Sequence, residues 1–545
     1  MCLPDAYFLA WNPMDVVPFL ANLPADDAIG QNLEQFLLVL SVSLSVATLS
    51  RVLPWFRQTP YTLLLVIVGL GLAVVDVRLV NLSPELILLI FLPPLLFEAG
   101  WNLNWSYLRK DLVPICLYAV VGVMISVVGI GLGLAQFAGI PLAIALLIGA
   151  SLSATDPVSV IALFRELGVG KRLTVLMEGE SLFNDGVAVV AFTLLAGLAL
   201  GTQDEFVIPV AIAQFFTFLG VGVGVGSLIG FGISYLTQRF DLPLVEQSLT
   251  LVAAYGTYSI AEALGGSGVI SVVTVGLVLG NFGSRIGMNP RTRLIVSEFW
   301  DFIAFFVNSI IFLLIGDQVR FASLGENWLP IAVAIAALLL TRAVGIYGLG
   351  LVSNTLAKSN ISWRDQTVLW WGGLRGSVSI ALALSIPESL PEREVVIATV
   401  FGVMLFTLLV QGLTTQPLLK GLNMLDDQAF RKTYREAIAR RMALTRVLTY
   451  LSRLGDRQEL DPEFCQYQAA LVEGELSTLK ENIQALQTKH PEFKELALEE
   501  LREDLLAIEA DTYADLIRSG RLNEKLSPLL QDVLVESDRS DKALS

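Results

Sequence analysis

The sequence predicts an all-α membrane protein: about thirteen transmembrane helices in two inverted repeats, two of them discontinuous, followed by a helical cytoplasmic tail. Three observations carry this. Charge is sparse, apolar runs of spanning length recur, and two runs are interrupted by helix-breaking residues at matching places. The 545 residues are 54% hydrophobic and 16% charged, with a mean hydropathy of +0.66. A soluble chain would carry about 25% charge. From Leu33 to Leu422 the charges fall almost wholly between apolar runs, whereas Asp426 to Ser545 reads as a soluble, helix-rich segment. The chain therefore divides into an extracytoplasmic segment (1–32), a transmembrane domain (33–422) and a cytoplasmic helical domain (423–545).

Composition also excludes functions. A formal net charge of −15 argues against nucleic-acid binding. Cys2, Cys116 and Cys465 are scattered, with neither a disulfide framework nor metal-ligand spacing. The one histidine, His490, lies in the tail and cannot serve a site in the membrane. The first thirty residues lack Lys and Arg, unlike the basic start of a secretory signal peptide. No soluble segment carries a nucleophile motif, metal cluster or phosphate loop, so no enzyme and no cofactor is expected.

A bilayer core requires about 20 apolar residues per helix. Runs of this kind start near Leu33, Tyr61, Pro84, Leu112, Pro141, Glu178, Ile208, Pro243, Gly265, Ile295, Trp328, Arg364 and Val395. One alternate set of loops is basic, with Arg51, Arg57, Arg109, Lys110, Arg165, Lys171, Arg172, Arg239, Arg285, Arg291, Arg293, Lys358 and Arg364. The other is mainly acidic: Asp26, Asp27, Asp204, Glu205, Asp317, Glu326, Glu388, Glu392 and Glu394, with only Arg78, Arg320 and Arg393 as basic members. The positive-inside rule then places the N-terminus outside and the tail in the cytoplasm.

The fifth run contains Ser151-Leu-Ser-Ala-Thr-Asp-Pro157, where proline removes a backbone donor and clashes with the preceding turn. The twelfth contains Trp371-Gly-Gly-Leu-Arg-Gly-Ser377, whose glycines let the backbone unwind. About the seventh run the two halves have opposite topology, and each break falls in the fifth span of its half. Paired interruptions of this kind point to a transport site between inverted repeats.

Ionisable groups at membrane depth cost at least ~2.5–3.5 kcal/mol on insertion scales and are functional candidates. Here they are Glu98, Asp156, Glu180, Asp185, Arg342 and Arg375. The densest cluster is Glu180-Ser181-Leu182-Phe183-Asn184-Asp185, at the start of the sixth run. Glu180 and Asn184 share a helix face, as do Ser181 and Asp185, and the faces adjoin. The four groups are thus expected to point to one side, as oxygen ligands suited to a hard cation. Arg375 stays charged and needs a counter-charge, for which Glu180 and Asp156 are available. If it takes Glu180, Asp185 remains as a carboxylate that holds a proton or a cation but not both. Alternating access would turn that competition into one-for-one exchange. Glu98 either adds a ligand near the inner opening or pairs with Arg109 or Lys110. Arg342 is expected to contact carbonyls or an acid, and Glu246, Glu262, Glu298 and Asp301 read as interfacial. Gly220 to Gly232 carries small-xxx-small spacing, suited to close helix packing.

Five stretches then resemble one family: Phe91–Gly100 (FLPPLLFEAG), Ser153–Val158 (SATDPV), Glu178–Val190 (EGESLFNDGVAVV), Ala261–Gly280 and Gly372–Ser379 (GGLRGSVS). They are similar to the monovalent cation:proton antiporter-1 family, which includes bacterial NhaP proteins and eukaryotic Na⁺/H⁺ exchangers, and the resemblance covers about Leu33 to Leu422. It implies an NhaA/NhaP-like fold and a homodimer whose core moves like an elevator. By this likeness 33–107 and 243–317 form the dimerisation part, 112–200 and 328–421 the core, and 208–237 a linker helix. It implies that Asn184 and Asp185 form the exchange site, in the Asn-Asp form associated with electroneutral exchange. Thr155 (through its carbonyl), Ser181, Asp185 and Glu98 would hold the transported Na⁺. Glu180 would pair with Arg375, and Asp156 would offset the helix-end dipoles where the broken helices cross.

The expected activity is therefore electroneutral Na⁺(Li⁺)/H⁺ antiport across the cell membrane, in the service of pH homeostasis and salt tolerance. A K⁺/H⁺ antiporter on the same scaffold and a gated cation channel stand as alternatives. In the tail, Arg431 to Arg453 is a basic amphipathic stretch that either lies along the inner leaflet or has a solvated face. Helical stretches follow at Pro462–Gln487 and Pro491–Ser519. Leu516 to Asp532 resembles the tails of bacterial family members, in a regulatory or dimer-stabilising role.

Overall fold

The computed structural model describes residues 26–52, 60–75, 83–200, 208–237, 242–284, 288, 290–390, 392–425, 428–456 and 462–489, with a few positions beyond. The expected N-terminal segment before residue 26, most of the third tail stretch and all of Leu516–Asp532 except Leu516 lie outside these. Among the described residues the chain is all helical. In order come α1 (Asp26–Val52), α2 (Tyr61–Val74), α3 (Leu92–Asn102, entered through a π-helical turn at Leu86–Phe91) and the short α4 (Trp105–Lys110). Then follow α5 (Leu112–Cys116) and α6 (Val123–Phe137), joined by a π-helical turn at Leu117–Gly122.

The fifth run is broken as its sequence predicts. α7 (Leu142–Ser151) stops, the chain unwinds, and α8 (Val158–Leu167) restarts after Pro157. Gly168 closes α8 in the left-handed conformation (φ 64°), where glycine has no Cβ to clash. α9 (Lys171–Ala199), α10 (Ile208–Thr237), α11 (Pro243–Ala263), α12 (Gly268–Val278), α13 (Pro290–Asp317), α14 (Phe321–Glu326) and α15 (Trp328–Leu356) continue the bundle. The glycine-bearing run is broken in the same way, between α16 (Trp363–Trp371) and α17 (Ser377–Leu384). α18 (Arg393–Phe406) and α19 (Leu413–Gly421) are joined through a π turn, and α20 (Gln428–Asp456) and α21 (Pro462–Lys489) form the tail.

Six helices among the described residues are long and apolar enough to cross a membrane: Leu112–Phe137, Lys171–Ala199, Pro209–Thr237, Thr292–Asp317, Trp328–Leu356 and Arg393–Gly421. Others are shorter apolar helices, including α7, the first half of the fifth run, and α2, α3 and α12. One boundary differs from expectation in a way that matters. α9 begins at Lys171, not near Glu178, because Lys171 and Arg172 form its first turn rather than a loop. The polar cluster at 180–185 therefore sits about three turns inside the helix, away from a helix end.

The helices form two packed groups. α1, α2, α3, α11, α12 and α13 pack on one another, while α6, α7, α9, α15 and α18 form the other; α10 packs on α12. In the first group α3 and α12 cross through glycine. A Cβ at Gly100 would lie 2.7 Å from the Val273 carbonyl, and one at Gly276 would lie 2.7 Å from that of Phe97. Hydrogen bonds fasten the same group: Trp101 Nε1 donates to Ser297 Oγ (2.9 Å) and Trp300 Nε1 to Thr250 Oγ1 (3.0 Å). In the second group Arg172 clamps three elements, donating to both Asp111 oxygens and to the Ser359 carbonyl. The tail helices pack through Tyr434, Ala437 and Ile483, with Gln487 Nε2 donating to Tyr434 Oη (2.8 Å).

The glycine crossing makes a prediction. Gly276→Leu forces the helices apart and should destabilise by about 1–3 kcal/mol, as overpacking does. Gly256→Leu, where an added Cβ meets nothing within 4 Å, should leave the midpoint unchanged in a thermal unfolding experiment in detergent.

Candidate functional site

The two unwound segments meet at mid-bundle and satisfy one another. Asp156 N–H donates to the Leu374 carbonyl (2.8 Å), and Ser379 Oγ donates to the Ala154 carbonyl (3.3 Å). In lipid no water is available for such freed backbone groups, so protein must supply the partners. Asp156 Oδ1 accepts from Val158 N–H (3.0 Å) at the first turn of α8. Its other oxygen lies against Gly376, at the start of α17, where a Cβ would collide with it. One carboxylate thus faces the positive ends of both half-helices, where a negative charge is favoured.

α9 runs past this crossing and holds Thr155 from two sides. Asn184 Nδ2 donates to Thr155 Oγ1 (2.6 Å), and Asn184 Oδ1 accepts from Thr155 N–H (3.2 Å). Ser181 Oγ donates to the Thr155 carbonyl (2.5 Å). Asp185 is 9% exposed, and its Oδ1 is buried without a hydrogen-bond partner. A cavity of about 700 Å³ reaches this group; Thr155, Asp156, Ser181 and Asp185 line it on one wall. Glu98, Asn102, Asp301 and Asn308 line the opposite wall, contributed by α3 and α13.

The cluster on α9 does not point to one side, as the spacing had led us to expect. Ser181 and Asp185 face the large cavity, while Glu180 and Asn184 face a small chamber towards α6 and α15. Successive helical positions are ~100° apart, so the second pair looks into the neighbouring helices.

The expected Glu180–Arg375 ion pair is replaced. Glu180, 3% exposed, is paired with Arg342 of α15: Nη1 to Oε1 is 3.0 Å and Nη2 to Oε2 is 3.3 Å. Arg342 also donates to the carbonyls of Trp370 (3.1 Å) and Leu369 (2.9 Å), the last turn of α16 before its break. It thus contacts both carbonyls and an acid. The physical reason is room: Gly373 has no Cβ, and one there would collide with the Arg342 guanidinium. Arg375 is 1% exposed, with Nη1 3.4 Å from the Gly373 carbonyl and Nε unpartnered. Its guanidinium feels both Glu180 and Asp185 electrostatically. Its backbone N–H donates to Thr407 Oγ1 (3.1 Å), in the π turn after α18.

Glu98 accepts from Asn102 Nδ2 (2.6 Å), not from Arg109 or Lys110, and the same amide donates to Asp301 Oδ1 (3.0 Å). Across the cavity Arg165 reaches Glu178 at 3.4 Å. Sequence reasoning had set Asp301 aside as interfacial and had not considered Asn102, although its i+4 spacing from Glu98 was a usable signal.

Acidic and neutral oxygen groups, sunk where two broken membrane helices meet and reached by a cavity of about 700 Å³, define a membrane transport protein. Comparison with known proteins is specific. Residues 39–421 match the family described as sodium/hydrogen exchanger, transmembrane, and the chain belongs to that family of transporters, which are not enzymes. It is 63% identical over 514 residues to the Na⁺/H⁺ antiporter ApNhaP of Aphanothece halophytica, covering 94% of this chain and 98% of that one. It is 59% identical over 507 residues to the low-affinity Na⁺/H⁺ antiporter NhaS1 of Synechocystis, covering 92% and 96%. The solved structure of the sodium proton antiporter MjNhaP1 from Methanocaldococcus jannaschii shares the fold, with a TM-score of 0.60 at 20% identity over 73% of this chain and 99% of that one.

The observed pairing makes a prediction. Arg342→Ala leaves Glu180 buried and uncompensated, a loss of about 3–5 kcal/mol. Replacing both partners, Glu180→Gln with Arg342→Met, should recover most of the unfolding temperature in detergent.

Proposed function

We propose that the protein is an electroneutral Na⁺(Li⁺)/H⁺ antiporter that exchanges one cation for one proton by competition at Asp185. The observation that carries this is the unpartnered, buried Asp185 oxygen at the inner end of the cavity. A carboxylate removed from water must be neutralised or held by partners, and here the exchangeable occupant does that. Relatives named as Na⁺/H⁺ antiporters over nearly the whole chain support the choice of ions.

Charge at the crossing supports electroneutrality. Asp156, Glu180 and Asp185 face Arg342 and Arg375, which leaves one negative charge in excess. Either Na⁺ or H⁺ cancels it, so the two loaded forms have the same net charge and neither moves charge across the membrane. Ser181 Oγ and the Thr155 carbonyl, already fixed against each other, are positioned as neutral oxygen ligands beside Asp185. Glu98, on the far wall, would meet the cation on entry.

The α6, α7, α9, α15 and α18 group, with the two broken helices, is the moving core; the α1–α3 and α11–α13 group is the homodimer scaffold. Thirteen spans in two inverted repeats, an outside N-terminus and residence in the cell membrane complete the reading. The cavity then opens to the cytoplasm, since its rim holds Arg165 and Glu178 beside the basic loops.

Proteoliposomes loaded at one pH and diluted into Na⁺, Li⁺ or K⁺ test this. Wild type should exchange Na⁺ and Li⁺ at a rate unaffected by an imposed voltage, whereas K⁺-preferring flux, uncoupled current or voltage-driven exchange would overturn the assignment. Asp185→Asn should fold, as judged by size-exclusion profile, and lose exchange altogether. Asn184→Asp adds a second buried negative charge, and its residual exchange should become voltage-dependent.

A further inference from the structure

Behind the cation site, on the other side of α9, lies the second chamber. It is about 20 Å³ and lined by Tyr118, Ser126, Ser153, Glu180, Asn184 and Arg342, among others. It is distinct from the large cavity, which takes Ser181 and Asp185. A chamber of ~10–15 Å³ suffices for one water if two to four polar groups line it.

Tyr118 points to an occupant. The residue is 2% exposed and its hydroxyl has no hydrogen-bond partner. Leaving such a group unsatisfied costs its full desolvation penalty. Its position is built by local structure. The π turn at Leu117–Gly122 shifts the register of the helix between α5 and α6. Gly122 faces Gly345 of α15, where an added Cβ would be 3.8 Å from the Gly122 Cα, in ordinary contact. The remaining slot is one small molecule wide and too polar to stay dry. Across it stand the Glu180 carboxylate, whose oxygens keep unused lone pairs beyond those taken by Arg342, and the Asn184 amide.

We infer that this chamber binds one structural water, held between Tyr118 Oη, Glu180 and Asn184, and that Tyr118 is a positioning residue for the cation site. The chain of effect is short. The water fixes Asn184, Asn184 fixes Thr155 by two hydrogen bonds, and the Thr155 carbonyl stands beside Ser181 and Asp185. Tyr118 itself touches neither the cation nor Asp185's cavity.

Two experiments test this, one of them independent of transport. In a map of the wild-type protein better than about 2.5 Å, a solvent peak should lie within hydrogen-bond distance of Tyr118 Oη and Glu180; an empty chamber overturns the water. The kinetic arm rests on the exchange reading above. Tyr118→Phe keeps the ring and removes the hydroxyl, and should raise the apparent KM for Na⁺ by about 3–10-fold, as one lost hydrogen bond would, with the maximal rate held. An unchanged KM, or a fall in maximal rate that only tracks the amount of folded protein, overturns the positioning role. If Tyr118→Phe does not accumulate, the wild-type map still decides the chamber. If wild type itself does not exchange Na⁺ for H⁺, the exchange reading falls while the map result stands.

Discussion

An unwound backbone in the middle of a membrane has no water to satisfy it, and this constraint organises the protein. Two helices break, and several nearby polar groups are recruited to the broken ends. Asp156 N–H reaches Leu374, Ser379 reaches Ala154, and Arg375 N–H reaches Thr407. Asn184 and Ser181 close on Thr155, and Arg342 on Leu369 and Trp370. The groups that stabilise the breaks are therefore also those that surround the site. Folding and the proposed ion site draw on one network, so a substitution there is expected to affect both unless it conserves shape.

Charge follows from the same constraint. A carboxylate at this depth persists because something compensates it. Asp156 meets two half-helix N-termini, and Glu180 meets Arg342 across two hydrogen bonds. Asp185 is the exception: it lines the cavity, and its buried Oδ1 has no hydrogen-bond partner. An acid so placed has no fixed hydrogen-bond partner for that oxygen, which is the basis of the exchange proposed above. Arg375 stands near Glu180 and Asp185 and offsets their charge without donating a hydrogen bond to Glu180.

Much of this was legible in the sequence because local rules governed it. Pro157 and the glycines at 372, 373 and 376 dictate where helices stop, whatever surrounds them. Apolar runs and sparse charge dictate membrane helices. The five motifs dictate the family. Less legible was direction. Whether Glu180 and Ser181 face the same wall depends on which helices flank α9, and that is settled by packing around the whole bundle. The start of α9 was misplaced because Lys171 and Arg172 read as loop charges, although long basic side chains sit readily in a first helical turn at an interface.

By itself, then, the sequence determined the breaks, the apolar spans and the set of buried ionisable residues, since each depends on residue type within a few positions. Tertiary structure alone decided which charges meet. Arg342 reaches Glu180 from 162 residues away because Gly373 leaves space for its guanidinium, and Arg375 is left beside the pair. It also decided that Asn102 joins Glu98 to Asp301 across two helices, and that Tyr118 looks into a chamber of its own. Such contacts are set by how helices distant in sequence approach one another, a quantity that composition and spacing do not contain.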